Sequence, residues 1–164
     1  MNTGRYYRAP QRGFTIVELL VTVMLVSILA SVAFPLMALV NQRHKEAELR
    51  RSLMEIRRGL DSYKKAVDEG HVFSAAGQSG YPPTLETLRD GVVDVKSASG
   101  GRIYFLRKIP RDPFFPDPSV SSSDTWGKRS YASSADEPKS GADVFDVFSL
   151  SEGTGLNGIP YREW

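Results

Sequence analysis

The chain has 164 residues, enough for one domain with a modest core. Its 21 Lys and Arg stand against 19 Asp and Glu, a formal net charge of +2 that gives no reason to expect a nucleic-acid or polyanion binder. Cysteine is absent, which excludes disulfides, thiol nucleophiles and Cys-ligated zinc or iron–sulfur centres. Histidine occurs only at His44 and His71.

Residues 1–13 are polar and carry Arg5, Arg8 and Arg12 with no acid. Without this leader 18 basic residues remain against 19 acidic, a net of −1. A run of 27 residues follows, Phe14–Val40, whose one ionisable member is Glu18. As a helix it would reach roughly 40 Å, beyond the ~30 Å of a bilayer's hydrocarbon core. The basic flank places the leader in the cytoplasm and the rest across the membrane. Three fates are open to the run. It could be an uncleaved anchor, a secretory signal cut after Ser31-Val32-Ala33, or a helix released by a cut at the polar–apolar junction Gly13–Phe14. The secretory reading is weakened because a signal's apolar region is usually about 7–15 residues. Glu18 bears on the choice, since a carboxyl in an apolar span costs about 2.5–3.5 kcal/mol. With Phe14 as first residue, Glu18 lies one turn from a free α-amino group and can neutralise the amine of an adjacent copy. The plainer alternative is a carboxylate that snorkels to the interface.

The segment Arg12-Gly13-Phe14-Thr15-Ile16-Val17-Glu18-Leu19-Leu20 resembles the class III signal of type IV pilins and type II secretion pseudopilins. In that family a prepilin peptidase cuts after the glycine and methylates the new N-terminal phenylalanine. The resemblance implies Gly13–Phe14 as the scissile bond, Phe14 as the methylated residue and Glu18 as the assembly glutamate. Pro35 falls where many members carry a helix-interrupting proline, and a proline there removes a backbone hydrogen bond and kinks the helix.

Beyond Val40 the composition switches to charge. In Asn41–Glu69 the residues Leu49, Leu53, Ile56, Leu60, Tyr63 and Val67 recur in steps of four and three, one stripe of an amphipathic helix. Arg51–Glu55, Asp61–Lys65 and Lys64–Asp68 are opposite charges at i, i+4, and Gly70 suits a C-cap. One helix is therefore expected from about residue 15 to 69, its stripe packed on the protein's own head. The head follows as residues 70–164. A short helix capped near Thr84 is expected, then strands at Arg102–Lys108, Arg129–Ser133 and Val144–Leu150, forming a small antiparallel sheet. Ile109–Asp124, rich in Pro and Ser, is expected as a surface loop.

Tyr81-Pro82, Leu85, Leu88, Ile109-Pro110-Arg111-Asp112-Pro113, Trp126-Gly127, Tyr131 and Asp146-Val147-Phe148-Ser149-Leu150 resemble, in that order, the head of the major, G-type pseudopilin of type II secretion. Two departures stand out. The usual Asp-Pro-Trp-Gly is split, with an insertion between Asp112-Pro113 and Trp126-Gly127. The G-type head also binds calcium in its last loop through acidic side chains, whereas Ser151–Pro160 offers the single carboxylate Glu152, with Asn157. Calcium asks for six to eight oxygens, so no metal or other cofactor is expected.

Motifs suggestive of other chemistry are weak. Gly153-Thr154-Gly155-Leu156-Asn157-Gly158 matches GxGxxG, but only six residues follow it, too few for the helix that receives a pyrophosphate. Asp136, Glu137, Asp143 and Asp146 could hold a metal, though solvated acids are the commoner case. Arg43, Lys45, Arg50, Arg51, Arg57 and Arg58 could meet anionic headgroups, but interleaved acids favour a solvated face. No catalytic constellation is present and no enzyme is expected.

The expectation is an α+β pilin fold. Residues 1–13 are a removed leader, 14–40 a transmembrane and polymerisation helix, 41–69 its amphipathic half and 70–164 a periplasmic head on a single-pass inner-membrane anchor. By the resemblance, the chain is a structural subunit that polymerises with itself into a secretion pseudopilus helping to export folded proteins. Its partners are then a prepilin peptidase, an assembly platform, an ATPase, minor pseudopilins and inner-membrane lipid, with no nucleic acid. The alternatives are a type IV pilus subunit for adhesion, motility or DNA uptake, and a periplasmic binding domain on an uncleaved anchor.

Overall fold

A computed structural model describes the backbone of residues 13–164 and the side chains of these residues other than 32–35. The leader before Gly13 lies outside the described residues. The chain divides into two units, Met1–Asn41 and Gln42–Trp164. Helix α1, Ile16–Asp68, begins in the first and ends in the second, within a residue of each expected end. It does not stop at Pro35; the kink expected there lies outside the described side chains.

The second unit is built on the stripe of α1. Leu49, Leu53, Ile56, Leu60 and Tyr63 are buried, as are Ala66, Ser52 and Gly59, while the other residues between them are exposed or half-buried. The stripe packs with Leu85, Leu88, Leu106, Ile109, Trp126, Val144, Val147 and Tyr161 in one apolar cluster. Gly70 follows the helix at φ 73°, and its N–H donates to Val67 O, so it ends the helix as expected. Of the expected i, i+4 pairs, Lys64–Asp68 forms; Lys65 reaches Glu69 instead of Asp61, and Arg51–Glu55 is not among the ion pairs of the described residues.

Helix α2, Leu85–Asp90, is capped as expected by Thr84, whose hydroxyl accepts the Thr87 N–H. Gly91 ends it at φ 73°, where a Cβ would press on the Tyr104 ring and on Ile103 O.

The strands depart from expectation. Four short strands form two separate antiparallel pairs rather than one sheet. They are β1 (Val92–Val93) with β2 (Arg102–Ile103), and β3 (Trp126–Arg129) with β4 (Asp146–Ser149). The expected strand from Arg102 stops at Ile103 because the Phe105 and Leu106 N–H groups both donate to Leu88 O at the end of α2. The strand expected over Arg129–Ser133 lies earlier, since the Ser130 N–H goes to Lys139 O and Ser133 turns back on Ser130. Val144 donates to Pro82 O, which leaves β4 to begin at Asp146.

The expected loop before Trp126 contains a 3-10 turn at Ser122–Thr125. It also explains the split motif. Asp112 is 1% exposed; its N–H donates to Thr125 Oγ1 (3.1 Å), and its carboxylate accepts Ser149 Oγ–H (2.6 Å) and the Phe114 N–H (2.8 Å). The Trp126 indole N–H donates to Pro110 O at 2.8 Å. The insertion thus leaves and returns at one point, and Asp112 and Trp126 stay neighbours across it.

Candidate functional site

The start of α1 is set by its own sequence. Thr15 Oγ1 accepts the Glu18 N–H (3.2 Å) and Thr15 O accepts the Leu19 N–H, so Thr15 caps the helix and Glu18 stands three residues later. This is the Thr-x-x-Glu order of a capping box, and it puts a carboxylate in the first turn, where the helix dipole favours it. Gly13 and Phe14 precede the helix and are exposed, Phe14 at 82%. Glu18 is exposed as well. Thr22 and Ser27 return their hydroxyls to Leu19 O and Val23 O, so no polar group of these two side chains needs water.

Around this segment the apolar side chains point outward on every side; Ile16, Val17, Leu20, Met24, Val26 and Leu29 are all more than half exposed. A helix apolar all round has no solvated face. The segment is long and apolar enough to cross a membrane, and none of its most apolar stretch is buried within the chain. Lipid or the same helix of other copies can cover it.

A family model described as the prokaryotic N-terminal methylation motif matches residues 8–34, spanning the polar–apolar junction and most of this segment. The match places the motif on the junction between Gly13 and Phe14 and on the first part of α1. The chain is also similar to the type II secretion system core protein G of Klebsiella michiganensis, 25% identical over 140 residues, which are 83% of this chain and 91% of that protein. A second core protein G, from Klebsiella pneumoniae, is 25% identical over 92% of this chain and 88% of its own length. No solved structure matches.

The unit Gln42–Trp164 brings together few of the side chains singled out from sequence. Asp136, Glu137, Asp143 and Asp146 go separate ways. Asp146 meets Arg57 (2.8 Å) and Arg129 (3.3 Å), Glu137 meets Lys139, and Asp143 accepts from Ser130 Oγ and the Tyr131 N–H. His71 Nδ1 lies 3.0 Å from Asp94 Oδ1, and that hydrogen bond, with one from the Lys96 N–H, holds the Asp94 carboxyl below its usual value. Gly153–Gly158 is a tight terminal turn, with the Gly155 N–H on Ile159 O and the Gly158 N–H on Gly155 O.

The reading of the helix cations as a solvated face needs correction at three of them. Lys45 lies over the Phe114 ring and Arg50 over the Trp164 ring, 4.3 Å from its centroid. Arg57 reaches Asp146, Val147 O and Trp164 O. Long cationic side chains lay their apolar stems on the head while the charge finds rings and acceptors. Two further residues escaped sequence reasoning. Thr15 was legible as the partner of Glu18 in the capping-box order. Glu46 was legible too, because it continues the stripe one step before Leu49 and so puts a carboxylate in an apolar register.

Proposed function

We propose that this chain is a structural pseudopilin of a type II secretion system, without a catalytic role. It is inserted in the inner membrane with its head in the periplasm, cut between Gly13 and Phe14, methylated on Phe14 and polymerised into a short filament. The observation that carries the proposal is the methylation motif laid across a polar–apolar junction that opens onto a helix exposed on all sides. Its apolar surface is satisfied in lipid before assembly and by neighbouring copies afterwards. Contacts between unlike faces of successive copies do not close, and they generate a helical fibre. Two further details support the cleavage site. A Cβ built at Gly13 meets nothing within 4 Å among the described residues, so no described contact there calls for glycine. Glu18, already in the first turn of α1, is placed to meet the new α-amino group of an adjacent copy.

The partners are accordingly a prepilin peptidase, an assembly platform with its ATPase, minor pseudopilins, and further copies of this chain. The test is the intact mass of the protein recovered from its native membrane. Phe14–Trp164 plus one methyl group is the expected result. A full-length mass would make the chain a simple anchored domain, and a chain starting at Phe34 a secreted one; either outcome overturns the proposal. Gly13→Ala should leave an uncut membrane precursor. Glu18→Ala should be cut yet assemble poorly, and efficient filament formation by that variant would refute the pairing role of Glu18.

A further inference from the structure

The resemblance implies a calcium ion in the last loop, and the donor set of this loop does not fit one. Glu152, the loop's one carboxylate, is exposed. Asn157 Oδ1 accepts the Ile159 N–H (3.1 Å), and Ser151 Oγ accepts the Gly153 N–H (3.3 Å). The carbonyls of Gly153, Gly155 and Ile159 accept the N–H groups of Tyr161, Gly158 and Gly155, and Ile159 O also takes the Trp164 indole N–H. Oxygens committed to hydrogen bonds inside the turn do not make the shell of six to eight ligands that calcium requires.

The same loop is held in another way. Glu46, on α1 and 7% exposed, directs one carboxylate oxygen at three donors: the Leu156 N–H (2.8 Å), the Tyr161 O–H (3.0 Å) and the Gln42 side-chain amide (3.1 Å). Gln42 also donates to the Tyr161 hydroxyl oxygen. Burial, aided by the hydrogen bond to Glu46 and its charge and opposed by the Gln42 amide, pushes the Tyr161 phenol above its ordinary value. The insertion supplies a roof, with its Phe114 stacked on the Tyr161 ring at 4.1 Å, while the C-terminal Trp164 packs edge-on at 5.1 Å. N–H and O–H dipoles converging on an anion are the inverse of a cation site. They neutralise the carboxylate by hydrogen bonds, the strong charge-assisted kind.

We propose that Glu46 is a clasp that closes the C-terminal loop from inside the chain, roofed by the insertion, and that it makes the head independent of calcium. The departures of the split motif and the acid-poor loop then have a single explanation. Deleting acids from the loop is tolerated because the loop's anchor is a carboxylate on the helix and its cover is the inserted Phe114. The inference concerns the head's own folding and does not depend on the filament reading.

The test is thermal unfolding of the full chain in detergent, followed by near-ultraviolet circular dichroism, with millimolar calcium or with a chelator. The wild type should melt at one temperature in both. Glu46→Ala should lower the midpoint by roughly 5–10 °C in both, and Glu46→Gln, which keeps one acceptor, by less. Should Glu46→Ala fail to fold, Tyr161→Phe removes a single donor and should lower the midpoint by a few degrees. Glu152→Gln should change nothing. A wild-type midpoint raised several degrees by calcium and lost in Glu152→Gln would overturn the proposal. So would Glu46 variants that melt like the wild type.

Discussion

Arg57 shows how one side chain of the helix stripe's border organises distant chain. Its Nε donates to Asp146, and one Nη donates to both Val147 O and Trp164 O, so a single planar fork joins α1, β4 and the last residue. The side chain is partly exposed, and solvent screening keeps its contribution moderate. Arg57→Ala should therefore cost about 1–2 kcal/mol, read as a lower urea midpoint with an unchanged slope. Arg57→Lys should recover less than half of that, because a point charge cannot serve three acceptors in a fixed plane. Full recovery by lysine would mean that only the attraction to Asp146 matters. Asp143 gives a pH-dependent counterpart. Burial pushes its carboxyl up, but hydrogen bonds from Ser79, the Tyr131 N–H and Ser130 together outweigh burial and hold it below its ordinary value of 3.8. A lowered folded-state value means stabilisation that is present above the unfolded value and lost as pH falls through the folded one. Asp143→Asn should thus be less stable than wild type at neutral pH, and the gap should close below about pH 4. A gap that stays constant down to pH 2 would remove the carboxylate from this role. The sequence pointed to both residues but not to these roles, since Arg57 and Asp146 are 89 positions apart and Asp143 takes its hydrogen bonds from Ser130 and Tyr131 across a turn.

At the level of elements, what was legible is what is local. α1 is written in a stripe of steps of four and three, in Thr15 and Glu18 at its start and in Gly70 at its end, and α2 in Thr84 before Leu85 and Leu88. Two expected segments hold β2 and β4, but the strand limits were not legible because each strand is only two to four residues long, and its limits are set by non-local acceptors such as Leu88 O and Pro82 O. A β-rich run like Arg102–Lys108 specifies extended backbone, but not where its N–H groups go. The β3–β4 pair has one feature that can be tested alone. Gly127 stands opposite Phe148 in the register, and a Cβ on Gly127 would overlap the Phe148 ring. The ring covers the glycine, which supplies the apolar contact that a strand glycine otherwise lacks. Gly127→Ala must push the ring aside, and should destabilise the head by about 1–3 kcal/mol. The double variant Gly127→Ala with Phe148→Ala should lose less than the sum of the two single changes, because the overlap is gone. Strict additivity would show that the ring and the glycine do not sense each other.

At the level of the molecule, the chain joins two solutions to the problem of apolar surface. Up to Asn41 the described side chains are nearly all exposed, and lipid or another copy can cover them. From Gln42 onward the surface is closed by the chain itself. Every member of the buried apolar cluster comes from Leu49 or later, and the Glu46 and Gln42 contacts with the final loop also fall inside this unit. Among the described residues, none before Gln42 belongs to that core. A chain beginning at Gln42 should therefore be soluble and monomeric, and should unfold in one cooperative step with a stability of about 5–15 kcal/mol. Loss of the preceding segment removes the exposed apolar surface, so sedimentation should show no self-association. Its α1 remnant would be only about half the full helix, yet most helical stability comes from packing of the amphipathic face, which is retained whole. Circular dichroism in urea gives the decisive reading. A single transition, with near- and far-ultraviolet signals lost together, is the expected outcome. Early loss of the near-ultraviolet signal, with helix persisting, would mean that the head needs the first unit to fix its packing.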